Sequence, residues 1–289
     1  MKKITVKQFF EQFPNDDTCL EHVMVLRYGL KRDCLNPKCG KPTEYYRLTN
    51  RPAYSCKLCG HHIYPCAGTP FENTRTPLQS WFYAMYLFTT TRHGVPAKEL
   101  QRQLGVTYKT AWRMGHEIRK YMGKVDGDDG LSGHIEMDET YVGGKEPGIM
   151  GASNSQSKKT VVFGMVERGG DVLTCVIPSV TRNNVMPIID QFAQPGSTVS
   201  TDENHIYKTL KARGFKHESV KHWRKEYVRG NVHTNTIEGF WSHFKNSVRG
   251  THKSVSAKHM QKYLNEFEFR FNLRGPHAPS MFDRLIQAF

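Results

Sequence analysis

The chain has 289 residues, 38% of them hydrophobic, and a formal net charge of +14 from 41 Lys and Arg against 27 Asp and Glu. That length holds one large domain with smaller modules, and the charge makes a polyanion, first of all nucleic acid, the expected partner. No apolar run approaches the roughly 20 residues of a membrane span, and the start lacks the apolar centre of a signal peptide, so the expectation is a cytoplasmic protein with no membrane partner.

Residues 1–30 read as a helical segment, broken into two pieces at Pro14-Asn15-Asp16-Asp17. Residues 31–75 carry Cys34-x4-Cys39-Gly40 and Cys56-x2-Cys59-Gly60, two pairs separated by 16 residues. Seven cysteines in a chain without an export signal favour metal ligation over a disulfide framework. Cys34, Cys39, Cys56 and Cys59 fit a structural Zn²⁺ held by four thiolates, with a glycine after each pair to make the tight turn. The first spacing is looser than usual, so Cys66, His61 and His62 stand as alternative ligands. Tyr45, Tyr46 and Tyr54 read as short strands between the knuckles, and Cys19 and Cys175 as buried apolar residues.

Residues 76–124 read as helical. Leu78, Trp81, Phe82, Met85 and Phe88 form a core stripe. A helix then ends near Gly105, and a second begins after Thr107, which suits a helix N-cap. Ala111, Met114 and Ile118 face inward, whereas Tyr108, Lys109, Trp112 and Arg113 face out near the start of the second helix. In a helix-turn-helix those positions reach DNA; the alternative is a plain helical hairpin.

The glycine-rich stretch Val125–Gly130 reads as the main linker, and Gly148–Lys159 as a loop. Between them, Gly133–Gly144 alternates apolar and polar residues as a strand that carries Asp138. Thr160–Glu167 and Val172–Ile177 read as strands joined by the hairpin turn Arg168-Gly-Gly-Asp171. Asn184–Phe192 reads as a helix, the run before Asp202 as a strand, Ile206–Arg213 as a short helix and His217–Val220 as a strand. With thirty-five residues between it and Asp202, Glu238 opens a helix whose apolar stripe is Ile237, Trp241, Phe244 and Val248. Glu238, Ser242, Lys245 and Arg249 line the polar stripe beside it. Hairpin strands followed by strand-helix alternation give a mixed α+β sheet with helices on its faces. The carboxylates of Asp138, Asp202 and Glu238, from two strands and one helix, are hard oxygen ligands suited to Mg²⁺. Two such ions stabilise the attacking and leaving oxygens of a phosphodiester displacement. Arg224, Lys225 and neighbouring basic residues, interleaved with Trp223 and Tyr227, read as a phosphate-tracking surface with aromatics for unpaired bases. A last helix over 254–274 packs on this domain.

Met137-Asp138-Glu139-Thr140-Tyr141, Thr201-Asp202 and His233-x-Asn235-x-x-Glu238 with Lys245 seven residues later, behind a zinc ribbon and a helical segment, resemble bacterial insertion-sequence transposases of the DDE class, in the zinc-ribbon group with an ISXO-like catalytic domain. The resemblance covers nearly the whole chain. It implies an RNase H-like catalytic domain over 131–252 with a C-terminal helical extension over 253–289. It implies catalytic Asp138, Asp202, Glu238 and Lys245, the three acids holding two Mg²⁺ (or Mn²⁺) ions; from the residue pattern, DNA contacts are expected at Tyr108, Lys109, Trp112, Arg113, Arg224, Lys225 and Arg249. The resemblance also implies double-stranded DNA partners, both element ends and target, a homo-oligomer in a synaptic complex, and action at the bacterial nucleoid. The alternatives are a DNA-binding regulator that has lost catalysis and a metal-dependent nuclease without strand transfer.

Overall fold

A computed structural model describes residues 5–125, 130–144, 158–224, 226–275 and 280–288. The chain divides into two compact units, one of Met1–Tyr121 with Gly275–Phe289 and one of Met122–Arg274. The expected linker at Val125–Gly130, the expected loop at Gly148–Lys159 and the expected contact Lys225 lie mostly or wholly outside the described residues.

In the first unit, α1 (Val6–Gln12) and α2 (Asp16–Arg27) are separate helices. Thr5 and Gln8 form a reciprocal capping box at the first, and the Asn15 side chain accepts from the Thr18 amide at the second, so Pro14 falls between two independently capped starts. The ribbon strands β1 (Lys31–Asp33), β2 (Pro42–Arg47), β3 (Tyr54–Cys56) and β4 (His62–Ile63) pair antiparallel in sequence order. Helix α3 (Leu78–Thr90) buries Leu78, Trp81, Phe82, Met85 and Phe88.

Helix α4 (Ala97–Leu104) ends at Gly105, whose φ of 65° is the left-handed conformation that stops a helix. Helix α5 (Tyr108–Val125) starts after Thr107, whose hydroxyl accepts from the Thr110 amide at 3.2 Å. Leu100, Ala111, Met114 and Ile118 are fully buried between these helices and their neighbours. Buried Arg119 donates to the Val95 carbonyl at 3.0 Å and lies over the Phe88 ring, which ties the hairpin to α3. The C-terminal helix Met281–Gln287 also belongs here, with the Phe282 ring against Phe13 and Phe82. The extension expected over 253–289 is therefore divided: its end joins the aromatic core of the first unit, and its start packs in the second.

The second unit is built on a five-stranded sheet ordered β7-β6-β5-β8-β9. Its strands are β5 (His134–Val142), β6 (Thr160–Glu167), β7 (Val172–Ile177), β8 (Thr198–Thr201) and β9 (Lys216–Ser219). The β5–β6 and β6–β7 pairs are antiparallel, and β5–β8 and β8–β9 are parallel. This mixed sheet, with helices on both faces, is the RNase H-like architecture that the resemblance implies. On one face Ile135, Met137, Phe163 and Met165 pack against α6 (Arg182–Phe192). On the other, Val142, Val162 and Val166 pack against α7 (Asn235–Ser247) and α8 (Met260–Asn272). The short helix expected at Ile206–Arg213 is instead two 3-10 turns, His205–Thr209 and Lys211–Arg213.

Helix α8 also covers the open edge of β7. The Val172 amide donates to Asn272 at 2.8 Å, the Val176 amide donates to Gln261 at 2.9 Å, and Gln261 returns a bond to the Thr174 carbonyl at 2.9 Å. The Thr174 amide and hydroxyl both donate to the Glu268 carboxylate. These side chains satisfy backbone groups that would otherwise present an unpaired strand edge.

Candidate active site and metal centres

Alternation along β5 sends Ile135 and Met137 to the α6 face, and Glu136, Asp138 and Thr140 to the α7 face. Strand β8 runs parallel beside it, with Glu136 opposite Ser200. Two residues further on, Asp138 and Asp202 come level where β8 ends. Asp202 turns the chain there, its Oδ1 accepting the Asn204 amide at 2.9 Å. Glu238 enters from the first turn of α7 and Lys245 from its last turn.

Oxygen atoms of Asp138, Asp202 and Glu139 lie within 4.8 Å of one another. The sequence pattern does not mark Glu139, because alternation places it on the opposite strand face from Asp138. Its carboxylate nevertheless reaches the same place, held by the hydroxyl of Tyr207, which is fully buried beneath it. The Asp138-Glu139 dipeptide at a strand beside Asp202 was the signal available. Glu238 is exposed, stands outside that set, and its Oε1 accepts the Thr234 hydroxyl at 2.6 Å.

The electrostatics record the crowding. Burial, then the charge of Asp202, pushes the Asp138 carboxyl up to about 7; Glu238 adds to the rise, while the Glu139 backbone amide and Lys245 oppose it. Burial pushes Glu139 up to about 8, opposed by the Tyr207 hydroxyl and reinforced by Asp202 and Asp138. Burial lowers the Lys245 ammonium from its ordinary value, and the nearby Asp138 holds it partly back. Converging carboxylates that resist ionising together are what a divalent cation relieves, and an all-oxygen donor set suits a hard one. The donors present therefore fit such an ion.

The helix that carries Glu238 is anchored to β5 through Glu136, whose fully buried carboxylate meets Arg168, His233 and the start of α7. Gly164 of β6 lies directly opposite Asp138, and Trp241 of α7 rests on it.

The second centre lies in the ribbon. Cys34, Cys39, Cys56 and Cys59 bring their sulfurs within 4.8 Å of one another, and Cys66, His61 and His62 are not part of the group. Gly40 and Gly60 have φ of 55° and 72°, as tight knuckle turns require. The Leu58 amide donates to Cys56 Sγ at 3.4 Å, and Asn36 Nδ2 to Cys59 Sγ at 3.8 Å. Four clustered thiolates with amide donors around them form a structural zinc site. Cys19 is fully buried, whereas Cys175 is only partly so.

The expected DNA contacts fall in separate places. Tyr108, Lys109, Trp112 and Arg113 are exposed near the start of α5. Lys98 lies over the Tyr108 ring, Trp112 stacks on His116 at 3.9 Å, and Arg113 lies over Trp81 of α3. In the second unit, Arg224 is exposed and stacks on Trp223 at 4.5 Å. Arg249 is exposed in the π-helical turn Val248–His252 that continues α7. No helix among the described residues is long and apolar enough to cross a membrane.

Two family models match the chain: the ISXO2-like transposase domain over residues 130–272 and the transposase zinc-ribbon domain over residues 14–62. A protein in transposable element ISH50 of Halobacterium salinarum is 29% identical over 244 residues, 78% of this chain and 79% of that protein. A transposase-like protein of Haemophilus influenzae is 32% identical over 101 residues, 35% of this chain and 80% of that protein. The crystal structure of a pre-cleavage Mos1 transpososome is a distant likeness, with 13% identity, 66% of this chain and 73% of that chain covered, and a TM-score of 0.29. The chain belongs to the family of insertion-sequence transposases that join a zinc ribbon to an ISXO2-like domain.

Proposed function

We propose that this transposase binds the ends of its own insertion sequence, cleaves them and joins the 3′-hydroxyl ends to target DNA. The observation that carries the reading is the meeting of Asp138, midway along β5, with Asp202, just past the end of the parallel strand β8, beside a helix that brings Glu238 and Lys245.

Asp138, Asp202 and Glu238 are the residues that hold divalent cations, and Glu139 offers a further carboxylate in the same cluster. Mg²⁺ or Mn²⁺ bound there in pairs supplies activation of the attacking oxygen and stabilisation of the leaving 3′-oxygen. Lys245 is half-buried beside Asp138. It orients the scissile phosphate as a fixed positive charge, and its limited hydration strengthens that contact. Thr234 holds the Glu238 carboxylate in a defined direction through its hydroxyl. Tyr207 does the same for Glu139 from below.

Sequence-specific binding is assigned to the first unit, with Tyr108, Lys109, Trp112 and Arg113 on DNA and the zinc ribbon beside them in the chain. Arg224, Lys225 and Arg249 track phosphates in the second unit, and the net charge of +14 favours that polyanion throughout. Paired ends call for a homo-oligomer in the active complex, acting on DNA in the nucleoid.

The test is strand transfer by the purified chain, with labelled element-end DNA, plasmid target and Mg²⁺, beside Glu238→Gln and Asp138→Ala. The expected result is a joined product that vanishes in both variants while end binding persists. Tight end binding with no cleavage by the wild type would replace this reading with the regulator, and cleavage without joining with the nuclease.

A further inference from the structure

The α7 helix has no ordinary cap. An N-cap side chain normally accepts from the second or third amide of its helix. Thr234 occupies that position but makes no such bond; its hydroxyl donates to Glu238 instead. The cap is supplied by Glu136, about 100 residues earlier in the chain. Its Oε2 accepts the Thr236 amide at 2.7 Å and the Ile237 amide at 3.1 Å, and its Oε1 accepts the Thr236 hydroxyl at 2.9 Å.

The same carboxylate is paired with charge. Arg168 Nε lies 2.7 Å from Glu136 Oε1, and His233 Nδ1 lies 3.1 Å from it. Arg168 then donates to the carbonyls of Asn231 at 2.7 Å and His233 at 3.0 Å, gripping the chain that leads into α7. A carboxylate with no exposed surface is costly to bury even when paired, so such a network is weak evidence for stability alone. It is well suited to fixing geometry. Glu136 stands two residues before Asp138 on the same strand face, and the amides that it binds lie one and two residues before Glu238.

We propose that Glu136 is a positioning residue: it pins the start of α7 to β5 and thereby sets the Glu238 carboxylate against Asp138, so that the two share a cation. This rests on the metal-binding reading given above. Partners of this kind that orient a ligand typically change metal affinity or activity about 10–100-fold when altered.

The experiment measures Mn²⁺ binding to the full, zinc-loaded chain by calorimetry or electron paramagnetic resonance, with thermal melting as the check on folding. Wild type is compared with Glu136→Gln, Glu238→Gln and the double variant. Glutamine keeps the size and one acceptor oxygen but loses the charge that holds Arg168. The expected result is a folded Glu136→Gln protein whose Mn²⁺ affinity falls about tenfold or more, with a double variant no weaker than Glu238→Gln alone. Mn²⁺ affinity unchanged in Glu136→Gln but reduced in Glu238→Gln overturns the positioning role and leaves the metal reading intact. Affinity unchanged in both overturns the two together. Losses that simply add also overturn it, because Glu136 then acts elsewhere than through Glu238. Should Glu136→Gln fail to fold, Thr236→Val removes one of the bonds and leaves the charge in place. A smaller loss of Mn²⁺ affinity that Glu238→Gln masks supports the proposal, and no loss overturns it.

Discussion

Replacing Gly164 with alanine should loosen the catalytic helix from its sheet. Gly164 sits opposite Asp138 in the β5–β6 pair and points at α7. A Cβ there would lie 2.4 Å from Trp241 Cζ2, 2.7 Å from Cη2 and 3.1 Å from Ile237 Cδ1. Carbon atoms pack best at about 3.5–4.0 Å, so the indole must retreat by about 1 Å. Trp241 is buried among Phe240, Phe244 and the α8 side chains, and a rotation of the ring meets them. The strain falls on α7 as a whole. Overpacking of this kind costs about 1–3 kcal/mol, and each kcal/mol moves the midpoint of a unit this size by about 2–4 °C. The expected fall in melting temperature is therefore about 2–12 °C. Displacement of about 1 Å at Glu238 and Lys245 adds a loss of about 100-fold in strand cleavage. Melting and single-turnover cleavage on a labelled element end read the two effects separately. Adding Trp241→Phe, which removes the colliding ring, should recover part of both. A Gly164→Ala protein with wild-type melting and wild-type cleavage would refute the close packing of α7 on β6.

Three further outcomes follow from the same chemistry. Zinc-loaded protein without added Mg²⁺ should lose stability as the pH rises: Asp138 and Glu139 titrate near 7 and 8 when folded, against ordinary values of 3.8 and 4.5. The folded state holds these protons longer than the unfolded state, so their contribution is fully present below the ordinary carboxylate range and lost on passing through 7 to 8. Melting temperatures followed across that interval should decline, and millimolar Mg²⁺ should flatten the decline; an increase with pH would contradict the crowding. Zinc removal should unfold the ribbon around Cys34, Cys39, Cys56 and Cys59 and weaken end binding, while Mn²⁺ binding at Asp138 persists; normal end binding by zinc-free protein would count against that role. Lys109→Ala should weaken DNA binding evenly across sequences and lower the salt slope by about 1, whereas an unchanged slope in a gel-shift titration would remove Lys109 from the phosphate contacts.

Local patterns were legible in the sequence, and long-range ones were not. The strands Thr160–Glu167 and Val172–Ile177 fall where alternation and the Arg168-Gly-Gly-Asp171 turn place them. The stripe of Ile237, Trp241, Phe244 and Val248 is buried as its helical spacing requires. The four cysteines converge despite the looser first pair, because Gly40 permits the turn that closes it. The misses share a cause. Glu136 reads as one more polar residue in an alternating strand, and nothing local shows that its partners lie near residues 168 and 236. Alternation put Glu139 on the wrong side of the strand for Asp202, yet its longer side chain reaches round and Tyr207 secures it. Nothing local in α8 shows that Gln261, Glu268 and Asn272 meet the backbone of β7. The helix expected at Ile206–Arg213 became two 3-10 turns, stopped at Gly214, whose φ is 88°.

The site depends on α7 in two independent ways, and both begin within two residues of Asp138 on the sheet. Gly164, its cross-strand partner, fixes how closely the helix approaches, since the absent side chain is the space that Trp241 fills. Glu136, two positions back on the same face, fixes where the helix starts along the strand, since its carboxylate binds the two amides just before Glu238. Depth and axial position together determine where a side chain in the first turn can reach. A helix held by packing alone could slide, because apolar contact is not directional; a helix held only at its end could tilt. With both constraints acting beside Asp138, errors in either strand or helix are not accumulated over a long path before they reach the acids. This accounts for a buried charge and a bare glycine lying within two residues of each other's level on adjacent strands, beside the point where Asp138 must be matched to a residue about 100 positions later in the chain.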